Sequence, residues 1–166
     1  MHWWLVFFMV CKVAHLYENL AEHSSSPCTG GWSFLWRARL PGHIKHFGWR
    51  LSSNALPVCS NLLRRPIELK NLHPICGCWG EDEEHSILWC SYARQCWALI
   101  DTPWAVTSVW NGSAEQWLRR LYDQEQFQLA LTLAWGIWGH RNRLFFEGVE
   151  QSPVYLVQFV LKWISN

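Results

Sequence analysis

Within twenty residues, from Asn71 to Cys90, the chain reads NLHPICGCWGEDEEHSILWC. Two His, three Cys and four consecutive acids fall in that window, and this constrains the fold more than any other feature. Structural zinc is held tetrahedrally by four thiolate or imidazole groups, commonly one pair from a tight knuckle and one from a helix or second turn. His73-Pro-Ile-Cys76 has the two-residue gap of a knuckle, and His85 to Cys90, with four residues between, has a gap that zinc fingers use for their second pair. Four ligands so spaced would close residues 77–84 into a short loop. A second set replaces His73 with Cys78, although Cys76-Gly-Cys78 is a tighter bite. Without a metal, the same residues read as buried thiols beside a solvated acidic loop. Pairing His85 with Cys90 as base and nucleophile supplies neither an orienting third group nor an oxyanion site, and the metal uses the same residues better.

The rest of the chain is punctuated as helices. CKVAHLYENLA (11–21) puts Val13, Leu16 and Leu20 on one face, and the Ser-, Pro- and Gly-rich EHSSSPCTGG ends it. Trp32, Leu35 and Trp36 form an apolar ridge. Pro41 is expected in the first turn of a helix with Ile44, Phe47 and Leu51 inward, closed before Pro57. Ser60 is expected to cap a short helix that stops before Pro66. HSILWCSYARQCWALI (85–100) reads as one continuous helix with Ile87, Cys90, Ala93, Trp97 and Ile100 near one face, begun by the acids Glu81 to Glu84. After a connector with Pro103 and Gly112 come AEQWLRRLYD, then EQFQLALTLAWGIWGHRNRLFFEG with its stop at Gly148, then a last amphipathic helix with Pro153 in its first turn. No strand pair is evident. The expected fold class is therefore mainly α: a small helical domain with one zinc knuckle, plus C-terminal helices. Its parts are residues 1–30 (a helix and a Ser/Gly-rich linker), 31–100 (the zinc domain) and 101–166 (a helical connector).

Composition narrows the function. Half of the 166 residues are hydrophobic and only 16% are charged, so the chain packs rather than remaining disordered. Most of its 14 Trp are expected in the core. The seven Cys are an odd number without the regular spacing of a disulfide framework, which indicates a reduced, intracellular setting, nuclear or cytoplasmic rather than secreted. MHWWLVFFMVCK lacks the basic start and small-residue cleavage pattern of a signal peptide, and no apolar run reaches the roughly 20 residues of a membrane span. Charge is uneven: residues 37–70 carry seven basic side chains against one acid, a net of +6, while residues 71–100 carry four acids against one base, a net of −3. Basic residues interleaved with Trp32, Trp36 and Trp49 suit contacts to a phosphate backbone with stacked bases. They equally suit the solvated outer faces of helices.

An ordered series of landmarks runs through this region: Leu35 and Trp36; Pro41 with Lys45, Phe47, Trp49 and Arg50; Leu56 and Pro57 with Asn61, Leu62, Arg64 and Arg65; Pro74, Cys76 and Gly77; an acid from the Glu81 to Glu84 run; His85, Leu88 and Cys90; and Ala93 and Trp97. The series, over about residues 12 to 97, resembles the reverse-transcriptase zinc-binding domain of plant non-LTR (LINE-type) retrotransposons and their host-gene derivatives. WGIWGHRNRLFFEG resembles the segment that follows this domain, before a ribonuclease H-like domain. In that family the knuckle is Cys-Pro-x-Cys, so His73 stands where the first Cys belongs. The resemblance implies zinc held by His73, Cys76, His85 and Cys90, with Cys78 as the substitute for His73. It also implies a non-catalytic accessory module whose partners are RNA or DNA and the reverse transcriptase or ribonuclease H domains of the same element. Lys45, Arg50, Arg64 and Arg65 are the candidates for nucleic-acid contact. No small-molecule substrate and no membrane is implied. Because no polymerase carboxylates precede the domain and no ribonuclease H domain follows, the chain is expected to be a retroelement fragment or a small gene derived from one, without catalysis.

Overall fold

Pro41, Gly148 and Pro153 set three of the helix ends. The computed structural model describes residues 32–64, 70–100, 112–122 and 126–165. The expected helix at 11–21, the linker after it, Arg65 and most of the connector after Ile100 lie outside the described residues. α1 (Ser33–Arg37) buries Leu35, and α2 (Gly42–Ser52) buries Ile44, Phe47 and Leu51 as its periodicity requires. Pro41 sits one residue ahead of expectation, at the N-cap of α2 with ψ 148°, where its missing N–H costs nothing.

α3 (Cys59–Leu62) is a single turn whose N-cap is Val58, without a side-chain cap bond. The expected capping by Ser60 does not occur, because the orphan Cys59 N–H is taken from across the fold by the Glu81 carboxylate at 2.9 Å. The expected continuous helix over residues 85–100 is also corrected. A π-helical turn covers His85–Trp89, Cys90 is extended (φ −54°, ψ 144°), and α4 (Ser91–Ala98) starts afresh. The Trp97 indole N–H donates to the Ile87 carbonyl at 2.8 Å and so serves the interrupted ladder.

α5 (Ala114–Tyr122), α6 (Phe127–Glu147) and α7 (Pro153–Ile164) complete the unit Phe34–Asn166. α6 buries Ala130, Leu131, Leu133, Ala134, Ile137 and Trp138 around its whole circumference, the pattern of a central helix. α2, α4, α5, α7 and the π turn all pack on it. Gly148, at φ 67°, ends it by donating its N–H to the Leu144 carbonyl at 3.1 Å. Pro153 opens α7 where expected, and Ser152 Oγ accepts the Tyr155 N–H at 3.2 Å. The fold is mainly helical, with no strand among the described residues and a single antiparallel bridge between Leu72 and Trp79.

The Trp are distributed otherwise than expected. Of the ten described, only Trp97, Trp117 and Trp138 are buried, while Trp36, Trp49, Trp79 and Trp163 are exposed. Indole is amphipathic and too large to be enclosed at every position. No helix of the described residues is long and apolar enough to cross a membrane.

Close approach of α7 to α6 depends on Gly136, where an added Cβ would meet Leu156 Cδ1 at 3.0 Å. Gly136→Val is expected to lower stability by about 1–3 kcal/mol in denaturant titration. Gly139→Ala on the same helix meets nothing within 4 Å and should be neutral or stabilising by about 0.5–1 kcal/mol.

Candidate metal centre

The first half of the centre is a tight loop. Asn71 opens it, accepting the Gly80 N–H at its carbonyl (2.8 Å) and the Glu81 N–H at Oδ1 (3.0 Å). Inside, the His73 N–H donates to the Cys78 carbonyl at 2.9 Å and the Gly77 N–H to the His73 carbonyl at 2.8 Å. Gly77 (φ 67°) and Gly80 (φ 85°) occupy the left-handed region, which a side chain would resist. The loop sets the side chains of His73 and Cys76 side by side, with His73 Nδ1 3.2 Å from Cys76 Sγ.

The π turn supplies the second half. Five positions apart on a regular α-helix, His85 and Cys90 would point about 140° apart and could not converge. The wider turn, closed by the Cys90 N–H on the His85 carbonyl at 2.7 Å, and the extended Cys90 backbone bring them together. Asp82 Oδ1 accepts the His85 N–H at 2.7 Å and fixes where the turn begins.

One donor atom from each of His73, Cys76, His85 and Cys90 lies within 4.8 Å of the other three. Cys76 Sγ is 3.2 Å from His85 Nε2, and the two imidazoles meet edge to face at 4.9 Å. A zinc tetrahedron with bonds of about 2.1 Å to nitrogen and 2.3 Å to sulfur has edges of roughly 3.3–3.8 Å, so the cluster is already near that size. His73 and Cys90 are fully enclosed. Burial holds the His73 pKa down at about 4, against the opposing pull of Glu81, so the ring is neutral and able to ligate at physiological pH. Cys78 stands outside the group and faces solvent. These two thiols and two imidazoles can bind a metal ion.

The acids behave otherwise than a solvated loop. Glu81 is 0% exposed and Glu83 2%. Glu81 receives a forked pair from Arg141, Nε to Oε1 at 2.7 Å and Nη2 to Oε2 at 2.6 Å, together with Ser86 Oγ at 3.2 Å. Burial alone would push this carboxyl up, but the guanidinium bonds and charge, with the Cys59 contacts, hold it below its ordinary value. Glu83 accepts the Leu56 N–H at 2.6 Å and Asn61 Nδ2 at 3.3 Å, and Glu84 accepts the Ala114 N–H at the start of α5 at 3.2 Å. Burial raises the Glu83 pKa to about 8; the charge of Arg50 opposes that rise without cancelling it, unlike the Arg141 fork on Glu81.

A family model described as zinc-binding in reverse transcriptase matches residues 11–97, more than half of the chain. The chain belongs to this family. It is thus a zinc-binding module of a reverse transcriptase, and among the described residues the two thiols and two imidazoles form a group able to bind a metal ion. No curated protein and no solved structure matches the chain.

The candidate nucleic-acid residues are placed less uniformly. Lys45 Nζ donates to the Trp36 carbonyl at 2.9 Å, and Arg50 donates through Nε and Nη2 to the Ala55 carbonyl at 3.2 and 3.0 Å. Arg64 is exposed, and Arg65 lies outside the described residues. The domain also carries an aromatic that the charge pattern did not single out: Trp79, between the two positive-φ glycines, is 77% exposed.

Glu83 gives the domain a pH signature. An unfolded carboxyl loses its proton near pH 4.5 and the native one near pH 8, so between these values unfolding releases a proton and stability falls as pH rises. Glu83→Gln, shaped like the protonated acid, is expected to abolish that loss. Compared by thermal unfolding at pH 5 and pH 8, the variant should gain on the order of 2 kcal/mol relative to the parent at the higher pH.

Proposed function

We propose that the chain is the non-catalytic zinc-binding accessory module of a LINE-type retrotransposon reverse transcriptase, of plant origin, with His73, Cys76, His85 and Cys90 as the four ligands. The mutual approach of those four donor atoms within 4.8 Å carries the reading. Bound there, zinc would supply metal–ligand bonds that cross-link the loop to the π turn. Four protein ligands close the coordination sphere, which suits a structural ion rather than one with an open position for substrate. His73 serves in place of a thiolate, and Cys78 is the reserve donor.

The domain's second role is contact with the element's RNA or DNA. Support comes from the net +6 of residues 37–70, from the exposure of Arg37, Arg39, Arg64 and Lys70, and from indoles at Trp36, Trp49 and Trp79 on which bases can stack. The other reading is a structural or protein-interaction remnant of a decayed element, holding against reverse transcriptase or ribonuclease H domains and binding no nucleic acid. It is favoured by the use of Lys45 and Arg50 on backbone carbonyls of their own fold.

Native mass spectrometry addresses the ion first. One zinc per chain is expected, kept in Cys78→Ala and lost in His73→Ala and Cys90→Ala; a metal-free parent protein would sink the proposal. Binding to single-stranded RNA across a salt series addresses the rest. Affinity is expected to fall as salt rises, with a slope of about 0.7 per phosphate contacted, and Arg64→Ala should reduce that slope. Trp79→Ala should cost about 1–3 kcal/mol of binding if a base stacks there. Absence of salt-dependent binding would leave the interaction remnant as the surviving reading.

A further inference from the structure

His73 is a fully enclosed ligand candidate, and one of its two ring nitrogens has no hydrogen-bond partner. Nδ1 faces Cys76 Sγ at 3.2 Å, whereas Nε2, on the far side of the ring, is buried and unsatisfied. The group facing Nε2 is Glu81 Oε1, at 3.9 Å. That gap is too short to admit a water and about 1 Å longer than an ordinary N–H···O bond. Glu81 is itself held by Arg141 at both oxygens, by Ser86 Oγ and by the Cys59 N–H, so its position is fixed from α6, the π turn and α3 at once. A ligating imidazole commonly gives its other N–H to a carboxylate, which fixes the tautomer and aims the lone pair at the ion.

We propose that Glu81 and Arg141 are positioning residues of the metal centre: Arg141 fixes the Glu81 carboxylate, and Glu81 Oε1 holds the proton on His73 Nε2 so that Nδ1 presents its lone pair toward Cys76, His85 and Cys90. The inference rests on the reading of these four residues as ligands. It also extends the working metal unit past the matched residues 11–97, because Arg141 comes from α6, 60 positions beyond Glu81 in sequence. This gives His73 a function that a Cys in its place could not share: a thiolate has no second nitrogen, and the carboxylate behind it would be only a fold contact.

The test uses the full chain, with zinc affinity measured by chelator competition and the His73 imidazole N–H followed by NMR in the zinc-loaded protein. Glu81→Gln keeps the shape of the side chain and an acceptor for the Cys59 N–H but removes the charge; Arg141→Lys keeps the charge but not the fork. Glu81→Gln is expected to weaken zinc binding about ten- to a hundredfold and to speed solvent exchange of the His73 Nε2 proton, with Arg141→Lys moving both in the same direction. Leu118→Ala, a core change in α5, is the control: it should lower the melting temperature and leave both readouts unchanged. Parental zinc affinity in Glu81→Gln, or an equal loss in Leu118→Ala, would overturn the proposal; if Glu81→Gln does not fold, Arg141→Lys decides by the same measures. A parent protein that binds no zinc, or keeps its affinity in His73→Ala, sinks the ligand reading and this inference with it. Zinc binding that needs His73 and ignores Glu81 sinks this inference alone.

Discussion

The contact between Glu81 and Arg141 is the constraint to which the rest of the fold is fitted. Both side chains are enclosed, so each would be an uncompensated charge without the other, and breaking such a pair typically costs about 3–5 kcal/mol. The two Arg141 bonds leave Glu81 capacity for the Cys59 N–H and Ser86 Oγ, so one carboxylate anchors α3, the π turn and the central helix together. Trp138 and Phe145 flank the guanidinium, with its carbon 5.3 and 4.8 Å from their ring centres, and keep it dry. The geometry of the ligand cluster follows from where this carboxylate stands. The loop before it and the turn after it carry the two halves of the centre.

Adjacent acids in that run have opposite electrostatic fates. Glu81 takes the Arg141 fork, which holds its carboxyl below the ordinary range; for Glu83, two positions on and nearly as enclosed, burial outweighs the opposing charge of Arg50 and its pKa rises to about 8. Glu81 and Glu83 are turned inward, Asp82 stays outside and caps the start of the π turn, and Glu84, already helical at φ −62° and ψ −45°, reaches α5. Four side chains of nearly one chemistry thus perform four structural tasks, and none of the four is among the clustered donor atoms.

What the sequence made legible was what local rules govern. The helices of α2, α6 and α7 followed from apolar spacing closed by Pro41, Gly148 and Pro153, and the donor cluster followed from the His and Cys gaps together with the family landmarks. The interruption at Cys90 was not legible, because the residues 85–100 satisfy the helical period on either side of it; only the need for His85 and Cys90 to converge forbids a straight helix. The buried acids were missed because their partners are distant in sequence, Arg141 lying 60 residues from Glu81 and Leu56 lying 27 from Glu83, and a carboxylate reads as solvated until such a partner is known. The surplus of exposed Trp has the same origin: indole content announces apolar area without saying which surface will cover it.

The distance along the chain between Glu81 and Arg141 has a consequence during synthesis. All four clustered donors have been made once Cys90 leaves the ribosome, yet the cation that neutralises the Glu81 carboxylate behind them arrives 51 residues later. At about 5–20 residues per second that interval is roughly 3–10 s, long compared with the sub-millisecond collapse of a short chain. For those seconds the nascent loop carries an unpaired Glu81 that cannot be buried without its counter-charge. The centre can therefore gather its donors early, but it can close into its final, water-free form only after α6 has been delivered, making the last third of the chain the timekeeper for the middle.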